Sequence, residues 1–180
     1  MPIAFVPNGS GNDLVKCFGI KDSEQALDWL VKGDIVKMDA NKVLIDHDHE
    51  DEIPDDDDRP SKFRYSVINA AVGYVAKCVH KADAHKPYVG RSCYFTSAVY
   101  NFFTTSSENY GVIVGQHDGS TIDLPDEMSF LLVIMNGKYG GGGMPFAPLA
   151  LLNDGLLDVV LHHGPAKMKE LPSFIKRCLV

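Results

Sequence analysis

A glycine-rich turn near the start of the chain constrains the fold more than any other segment. Residues 7–13 read Pro-Asn-Gly-Ser-Gly-Asn-Asp, and they separate the apolar residues 3–6 from a helical spacing of apolar side chains that runs from Leu14 to Ile20. Glycine permits a tight change of chain direction, and the apolar residues on both sides require buried partners. The pattern therefore predicts a strand over residues 3–6, a tight turn and a helix.

The same turn has two chemical interpretations, which the residues alone leave open. Backbone N–H groups at a glycine-rich helix start can hold a phosphate group, and the hydroxyl of Ser10 would add a donor. In the alternative, Ser10 or Asn12 caps the helix by accepting hydrogen bonds from its free N–H groups. A short glycine turn is less diagnostic than a full Walker pattern, so the sequence favours neither interpretation.

A second helix is predicted after the first. Asp22 and Gln25 have the spacing of a capping box, and Gly33 is typical of a helix end. The buried stripe of this helix is predicted to consist of Ala26, Leu27, Leu30 and Val31. From residue 35 to residue 45, alternating apolar and polar side chains predict a strand.

Acidic residues are concentrated in one stretch of the chain. Nine acids lie within residues 46–58, and without them the net charge of -7 becomes +2. Residues 47–60 are therefore predicted to form a solvated acidic loop. The near-neutral remainder has no clustered basic face, which argues against nucleic acid as a ligand.

The cysteines and the apolar runs exclude further classes of protein. The four cysteines lie far apart without a C-x-x-C pair, so neither a zinc knuckle nor a redox motif is present. They are Cys17, Cys78, Cys93 and Cys178. No apolar run approaches the ~18 to 20 residues of a membrane-spanning helix. We therefore expect free thiols in a reducing compartment and no transmembrane segment.

The second half of the sequence is rich in short strand patterns. Alternation over residues 63–69 predicts a strand, and an alanine- and lysine-rich stretch after residue 73 predicts a helix. Residues 88–105 carry aromatic side chains at helical spacing and predict an amphipathic helix. Further strands are predicted over residues 112–114, 122–124, 130–135 and 156–161, with a turn at residues 117–120 and a final helix over residues 167–179.

Four consecutive glycines, residues 140–143, lie in a segment that extends from Asn136 to Pro145. Ordering so much glycine costs backbone entropy, which favours close approach by a ligand or another backbone, whereas a mobile linker is the alternative. Farther along the chain, Asp154 and Gly155 suit a simple turn. In the other interpretation, the Asp154 carboxylate and nearby backbone carbonyls form an oxygen-only site of the kind that Mg²⁺ prefers.

Taken in order, these segments resemble the family of diacylglycerol kinases, sphingoid-base kinases and bacterial lipid kinases. Family members carry a P-x-G-[ST]-x-N-D element before a helix, which residues 7–13 match. They also carry an N-x-x-x-G-G-G stretch and then a P-x-A-x-x-x-D-G-x-L-D element, which residues 136–158 match. Residues 69–73 and 90–94 are similar to intervening elements, so the resemblance spans nearly the whole chain.

The resemblance implies an α+β fold. Residues 1–33 would be the remnant of an α/β nucleotide-binding domain, and residues 34–180 would form a mainly antiparallel, β-sandwich-like domain. The implied activity is that of an ATP-dependent lipid kinase, which uses Mg²⁺ to phosphorylate a hydroxyl group of diacylglycerol or of a sphingoid base. The implied location is the cytoplasmic face of a membrane, with peripheral association.

The resemblance also implies a set of site residues. Those implied at the nucleotide phosphates are Gly9, Ser10, Gly11, Asn12 and Asp13. Asp39 would extend the polar network that joins Asp13 to the metal and the phosphates. The implied Mg²⁺ ligands are the backbone carbonyls of Leu151 and Leu156 and the carboxylate of Asp154.

Two elements of the family pattern are not found in this sequence. The G-G-D-G-T type nucleotide loop, expected before residue 7, does not occur, and the carboxylate that serves as general base in bacterial relatives would follow residue 180. We therefore expect either an incomplete fragment or a degenerate paralogue, without a catalytic residue of its own. One alternative is a non-catalytic lipid-binding or regulatory module, and another is a soluble nucleotide kinase of the NAD kinase or phosphofructokinase group. The sequence predicts no oligomeric state.

Overall fold

The computed structural model describes residues 2–9, 11–44, 63–90 and 93–164. The helices in these ranges are α1 (Asp13–Cys17), α2 (Ser23–Lys32), α3 (Tyr74–Val89) and α4 (Cys93–Thr104). The strands are β1 (Asn41–Leu44), β2 (Phe63–Ser66), β3 (Asn69–Gly73), β4 (Glu108–Gly115), β5 (Thr121–Met135), β6 (Tyr139–Gly140), β7 (Met144–Pro145) and β8 (Asp158–His163). This mixture confirms the predicted α+β class. The predicted loop 47–60 and the predicted helix 167–179 lie outside the described residues.

The long strand β5 organises the main sheet. Its first part, residues 121–129, pairs with β4, and its last part, residues 131–135, pairs with β3 on one edge and with β8 on the other. All of these pairings are antiparallel. The sheet therefore confirms the strands predicted over residues 112–114 and 156–161, with bounds that differ by a few residues.

The two strands predicted at residues 122–124 and 130–135 form one strand, β5. The sequence predicts a break between them at Pro125 and Asp126, because proline has no N–H to donate to a strand ladder. In the structure, the register shifts at this point, and the two residues lie opposite Gly111 alone. A β-bulge of this kind accommodates an interruption without ending the strand.

Helices α3 and α4 pack on the sheet and form the core. The Tyr74 ring stacks on Phe130 with 4.6 Å between ring centroids, and Phe102 contacts the same ring edge-on at 6.1 Å. The Tyr74 hydroxyl donates to the Ala98 carbonyl at 2.8 Å, so its polar end is satisfied. The aromatic spacing of α4 therefore marks a core-facing helix, as its sequence predicts.

The first two helices confirm some local predictions and correct others. No strand forms over residues 3–6, because no described residue pairs with them. Helix α2 begins with Asp22, whose side chain accepts from the Gln25 N–H at 2.8 Å, and ends at Gly33. The predicted buried stripe is wrong at three positions, since only Ala26 is buried. The other three stripe residues, Leu27, Leu30 and Val31, are 52%, 55% and 87% exposed.

Two strand predictions in the middle of the chain also needed correction. Residues 34–40 do not form a strand. Within this segment, the Asp39 N–H donates to the carbonyl of Leu152, a residue far along the sequence, at 2.8 Å. The strand predicted over residues 63–69 is divided between β2 and β3 by a bend. At this bend, the Ile68 carbonyl accepts from the Asn136 N–H at 2.7 Å, so the chain leaves one sheet and enters the next.

Candidate functional site

The start of α1 contacts the glycine-rich segment directly. The Asp13 carboxylate accepts a hydrogen bond from the Gly142 N–H at 3.0 Å through Oδ2. The Lys16 ammonium, one helical turn later, donates to the Gly142 carbonyl at 3.2 Å. Both polar groups of one glycine are therefore held by one short helix. The structure thus brings together the two segments that the sequence marks as chemically distinctive.

The glycine run is an ordered hairpin turn between β6 and β7. Gly141, Gly142 and Gly143 have φ angles of 62°, 95° and 114°, a region that other residues rarely adopt. Gly11 lies on the other side of this contact, and a Cβ built on it would lie 3.6 Å from the Gly142 Cα. The backbone angles of residues 141–143 therefore account for these glycines, and the alternatives of close ligand approach and a mobile linker stay open.

The turn over residues 7–13 is folded by its own side chains. The Asn12 side chain accepts from the Gly9 N–H at 2.8 Å, and the Asn12 backbone is left-handed with φ 56° and ψ 30°. Asn12 makes no side-chain hydrogen bond to the helix that it precedes, so the prediction that it caps α1 is wrong. Ser10 lies outside the described residues. The phosphate-binding role of this turn stays a prediction.

Asp39 is joined to the loop that carries the predicted metal ligands. Its Oδ2 accepts from the Gly155 N–H at 2.8 Å, and its own N–H donates to the Leu152 carbonyl. Asp39 is therefore hydrogen-bonded to the loop of residues 151–156, whereas Asp13 is hydrogen-bonded to the glycine hairpin. No hydrogen bond between the described atoms of Asp13 and Asp39 links the two carboxylates directly.

Asn136 connects the Asp39 segment to the glycine-rich segment. The sequence analysis gives this residue no role. Its side chain is 1% exposed, and its amide nitrogen donates to the carbonyls of Asp39 and Val67, each at 3.1 Å. The residue lies at the end of β5, immediately before the glycine segment. In the sequence, Asn136 is only the first residue of the N-x-x-x-G-G-G motif. No local pattern predicts which carbonyls its buried amide binds.

The oxygen atoms of the predicted metal ligands suit a hard cation. Asp154 uses one carboxylate oxygen to accept from the Leu156 N–H at 3.0 Å, which forms the turn expected around Asp154 and Gly155. The second oxygen and the main-chain carbonyls of Leu151 and Leu156 are the oxygen donors that Mg²⁺ prefers. Among the described residues, no group of three or more His, Cys, Asp or Glu side chains could hold a metal. A metal here would therefore depend on main-chain oxygens.

Two buried side-chain oxygens in the site, Oδ1 of Asp13 and Oδ1 of Asn136, have no hydrogen-bond partner among the described residues. Oδ1 of Asp13 is buried and has no hydrogen-bond partner among the described residues, although Oδ2 is engaged by Gly142. A buried carboxylate oxygen without a donor is costly unless a cation, a water molecule or a ligand satisfies it. Asp13 is therefore one of two site residues, with Asn136, that keep an unsatisfied buried oxygen within the described part of the chain.

Comparison with known families assigns the chain. Residues 68–177, more than half of the chain, match the YegS C-terminal NAD kinase beta sandwich-like domain, and residues 1–43 match the diacylglycerol kinase catalytic domain. The chain belongs to the diacylglycerol kinase-like family of lipid kinases. The resemblance inferred from the motif order is therefore confirmed.

Solved structures share the fold of this lipid-kinase region. A diacylglycerol kinase from Bacillus anthracis str. Sterne aligns with 97% of this chain and 48% of its own, with a TM-score of 0.54 and 20% identity. Two further structures from that organism align with 97% of this chain and 49% of theirs, at 19% identity and TM-scores of 0.53 and 0.54. The chain thus spans about half the length of these proteins. A comparison with curated proteins found no match.

The helices also bear on the question of a membrane span. None of those within the described residues is long and apolar enough to cross a membrane.

Proposed function

We propose that this chain is part of an ATP-dependent lipid kinase that transfers the γ-phosphate of ATP to a hydroxyl group of diacylglycerol. The observation that carries the proposal is the hydrogen bonding of Asp13 and Lys16 to Gly142, which joins the turn of residues 7–13 to the glycine hairpin. The match of residues 1–43 to a diacylglycerol kinase catalytic domain favours diacylglycerol over a sphingoid base as the acceptor.

In this proposal, the nucleotide phosphates lie against the turn that precedes α1. The residues assigned to them are Gly9, Ser10, Gly11, Asn12 and Asp13. Phosphoryl transfer requires positioning and neutralisation of charge more than covalent chemistry by the protein. Main-chain N–H groups in the turn would donate to phosphate oxygens, while Asp13 keeps the glycine hairpin beside them.

Asp39 and the loop of residues 151–156 are assigned to the metal. Asp154 would bind Mg²⁺ through its carboxylate, and Leu151 and Leu156 would bind it through their carbonyls. A bound Mg²⁺ ion supplies positive charge near the phosphates. Asp39 orients this loop through its hydrogen bonds to Gly155 and Leu152.

We assign residues 1–33 to the nucleotide-binding domain and residues 34–180 to the β-rich domain. The bonds that Asp39 makes to residues 152 and 155 support placing the segment after Gly33 with the β-rich part. The exposed apolar face of α2, formed by Leu27, Leu30 and Val31, would be covered by the remainder of the nucleotide-binding domain in a longer parent. Solved relatives of about twice this length support that arrangement. The lipid acceptor would place the parent at the cytoplasmic surface of a membrane.

The experiment is transfer of labelled γ-phosphate from ATP, with Mg²⁺, in mixed micelles. The acceptors are diacylglycerol, sphingosine and, as a nucleotide control, NAD. The 180-residue chain is compared with a longer form from the same gene. We expect transfer to diacylglycerol by the longer form alone. Transfer to NAD instead would establish a nucleotide kinase, and binding of lipid without any transfer would establish a non-catalytic module.

A further inference from the structure

Lys16 has a defined position beside the glycine hairpin. Its ammonium donates to the Gly142 carbonyl at 3.2 Å, and the N–H of the same glycine donates to the Asp13 carboxylate. The turn before α1 also approaches this glycine, since a Cβ built on Gly11 would lie 3.6 Å from the Gly142 Cα. The Lys16 ammonium is therefore held at the glycine that the turn of residues 7–13 approaches most closely.

The positive charge of Lys16 is not paired with a carboxylate. Lys16 and Asp13 are three residues apart on α1, a spacing at which side chains can form an ion pair. Within the described residues, Lys16 forms no such pair, and its acceptor is a neutral carbonyl. A carbonyl orients an ammonium group without cancelling its charge. Two of the three N–H donors of the ammonium are left for another partner.

Gly143 leaves the space that this ammonium occupies. A Cβ built on Gly143 would lie 2.6 Å from Nζ of Lys16, which is too close for two such atoms. Gly142 differs in this respect, because a Cβ built on it would meet no described atom within 4 Å. Both glycines have positive φ angles, 95° at residue 142 and 114° at residue 143. The lack of a side chain at residue 143 therefore allows Lys16 to reach the Gly142 carbonyl.

Lys138 is the lysine of the glycine-rich segment, and it is not held in the same way. Its side chain forms no hydrogen bond or ion pair within the part of the chain that the structure describes. A lysine side chain loses rotamer freedom when a ligand orders it. Lys16 is already oriented by Gly142, so a ligand that binds it loses less entropy than one that binds Lys138.

We propose that Lys16 binds the phosphate chain of ATP, with the Gly142 carbonyl holding its ammonium in position. Diacylglycerol is uncharged, so ATP is the one of the two proposed substrates that offers an anion to this unpaired cation. Lysine binds phosphate as a point charge, and phosphoryl transfer depends on neutralising the charge of the phosphates. The inference rests on the proposed kinase function and adds to it a side chain that contacts the substrate.

The test measures binding of ATP, in the presence of Mg²⁺, to the longer form from the same gene by equilibrium dialysis, which requires no acceptor. Lys16→Met should weaken binding about tenfold, the scale of one charge-assisted hydrogen bond, and Lys16→Arg should recover most of the loss. Lys32→Met, in the last turn of α2, is the control and should bind ATP like the wild type. In the transfer assay, Lys16→Met should raise the KM for ATP and leave the KM for diacylglycerol unchanged.

A second pair of variants displaces the ammonium without removing its charge. Gly143→Ala puts a Cβ where Nζ lies, so the flexible lysine side chain must leave the Gly142 carbonyl. Gly142→Ala introduces a similar backbone strain without a clash with Lys16. We expect Gly143→Ala to bind ATP about threefold to tenfold more weakly than Gly142→Ala. In a Lys16→Met background, this difference should disappear.

The outcomes separate this inference from the proposed kinase function. Equal ATP binding by Lys16→Met and the wild type, or an equal loss in Lys32→Met, would overturn the role of Lys16 and leave the kinase proposal standing. ATP binding without transfer to diacylglycerol would overturn the proposed acceptor, while a loss in Lys16→Met would still support the role of Lys16. A wild-type longer form that binds no ATP would overturn both.

Discussion

The Asp13 carboxylate accepts a hydrogen bond from the Gly142 N–H at 3.0 Å, although the two residues are 129 positions apart. Lys16 binds the carbonyl of the same glycine, so the glycine hairpin is attached to α1 at both polar groups. The position of the hairpin therefore depends on the side chain at residue 13. Charge and hydrogen bonding at this residue can be separated by two substitutions.

Asp13→Ala and Asp13→Asn should differ in stability. Alanine leaves the Gly142 N–H without its acceptor, and we expect the free energy of unfolding to fall by about 1 kcal/mol. Asparagine keeps an acceptor oxygen, so its free energy of unfolding should stay within about 0.5 kcal/mol of the wild type. Urea denaturation measures both values. An alanine variant as stable as the wild type would show that the hydrogen bond contributes nothing.

A second prediction concerns the contact between Gly137 and Cys17. A Cβ on Gly137 would lie 2.8 Å from the Cys17 sulfur, which is too close for two such atoms. We expect Gly137→Ala to lower the free energy of unfolding by about 1 to 3 kcal/mol through overpacking. Adding Cys17→Ala should recover most of that loss, since it removes the sulfur.

The control for this cycle is Gly115→Ala. A Cβ at this position, at the end of β4, would meet no atom within 4 Å. Its effect on the free energy of unfolding should stay within about 0.5 kcal/mol. If Gly137→Ala is equally harmless, or if removal of the sulfur brings no recovery, the close approach of α1 to residue 137 is wrong.

Local chemistry explains which elements could be predicted from the sequence. The Asp22 cap, the end of α2 at Gly33 and the aromatic spacing of α4 depend on residues a few positions apart, and the structure confirms them. The burial of Leu27, Leu30 and Val31 depends instead on what covers α2, which helical spacing does not specify. The single strand β5 also depends on a distant partner, because a bulge opposite Gly111 absorbs Pro125 and Asp126.

The candidate site was predictable as a set of segments but not as a set of contacts. Motif order identified the family, yet it did not indicate that Asp13 would bind Gly142 or that Asp39 would bind Gly155. These contacts join residues more than a hundred positions apart, and no periodicity fixes such pairings. Asn136 could not be predicted for the same reason, because the hydrogen bonds of its buried amide depend on carbonyls from distant segments.

A third prediction follows from that amide. Asn136→Ala removes the donor to the carbonyls of Asp39 and Val67, and we expect a loss of about 2 to 3 kcal/mol in the free energy of unfolding. The amide of Gly155 should also exchange faster with solvent, since its acceptor on Asp39 becomes less firmly held. Asn109→Ala, on an exposed position of β4, is the control. Unchanged exchange at Gly155 would contradict a connecting role for Asn136.

The fourth prediction concerns pH. The hydrogen bond and the charge of Lys77 hold the pKa of the Glu108 carboxyl below its ordinary value. A carboxylate with a lowered pKa in the folded state stabilises the protein above its unfolded-state pKa, and this contribution disappears as pH falls through the folded-state pKa. Lys77→Gln should therefore raise the Glu108 pKa, and its stability should converge with that of the wild type in acid.

Carbon-13 NMR titration of the Glu108 carboxyl tests this shift directly. Lys86→Gln retains the Lys77 partner and should leave the Glu108 pKa unchanged. An unchanged pKa in the Lys77→Gln protein would show that the ion pair does not form in solution.

The most direct test of the account is the rate at which the longer kinase transfers phosphate from ATP to diacylglycerol when Asp13 becomes asparagine. The substitution keeps an acceptor for Gly142 but removes the charge assigned to the phosphate and metal network. We predict a fall of about a hundredfold in kcat, the scale of a misplaced reacting group, while Asp28→Asn on the exposed face of α2 keeps the wild-type rate. A fully active Asp13→Asn enzyme would contradict the assignment of this site to phosphoryl transfer.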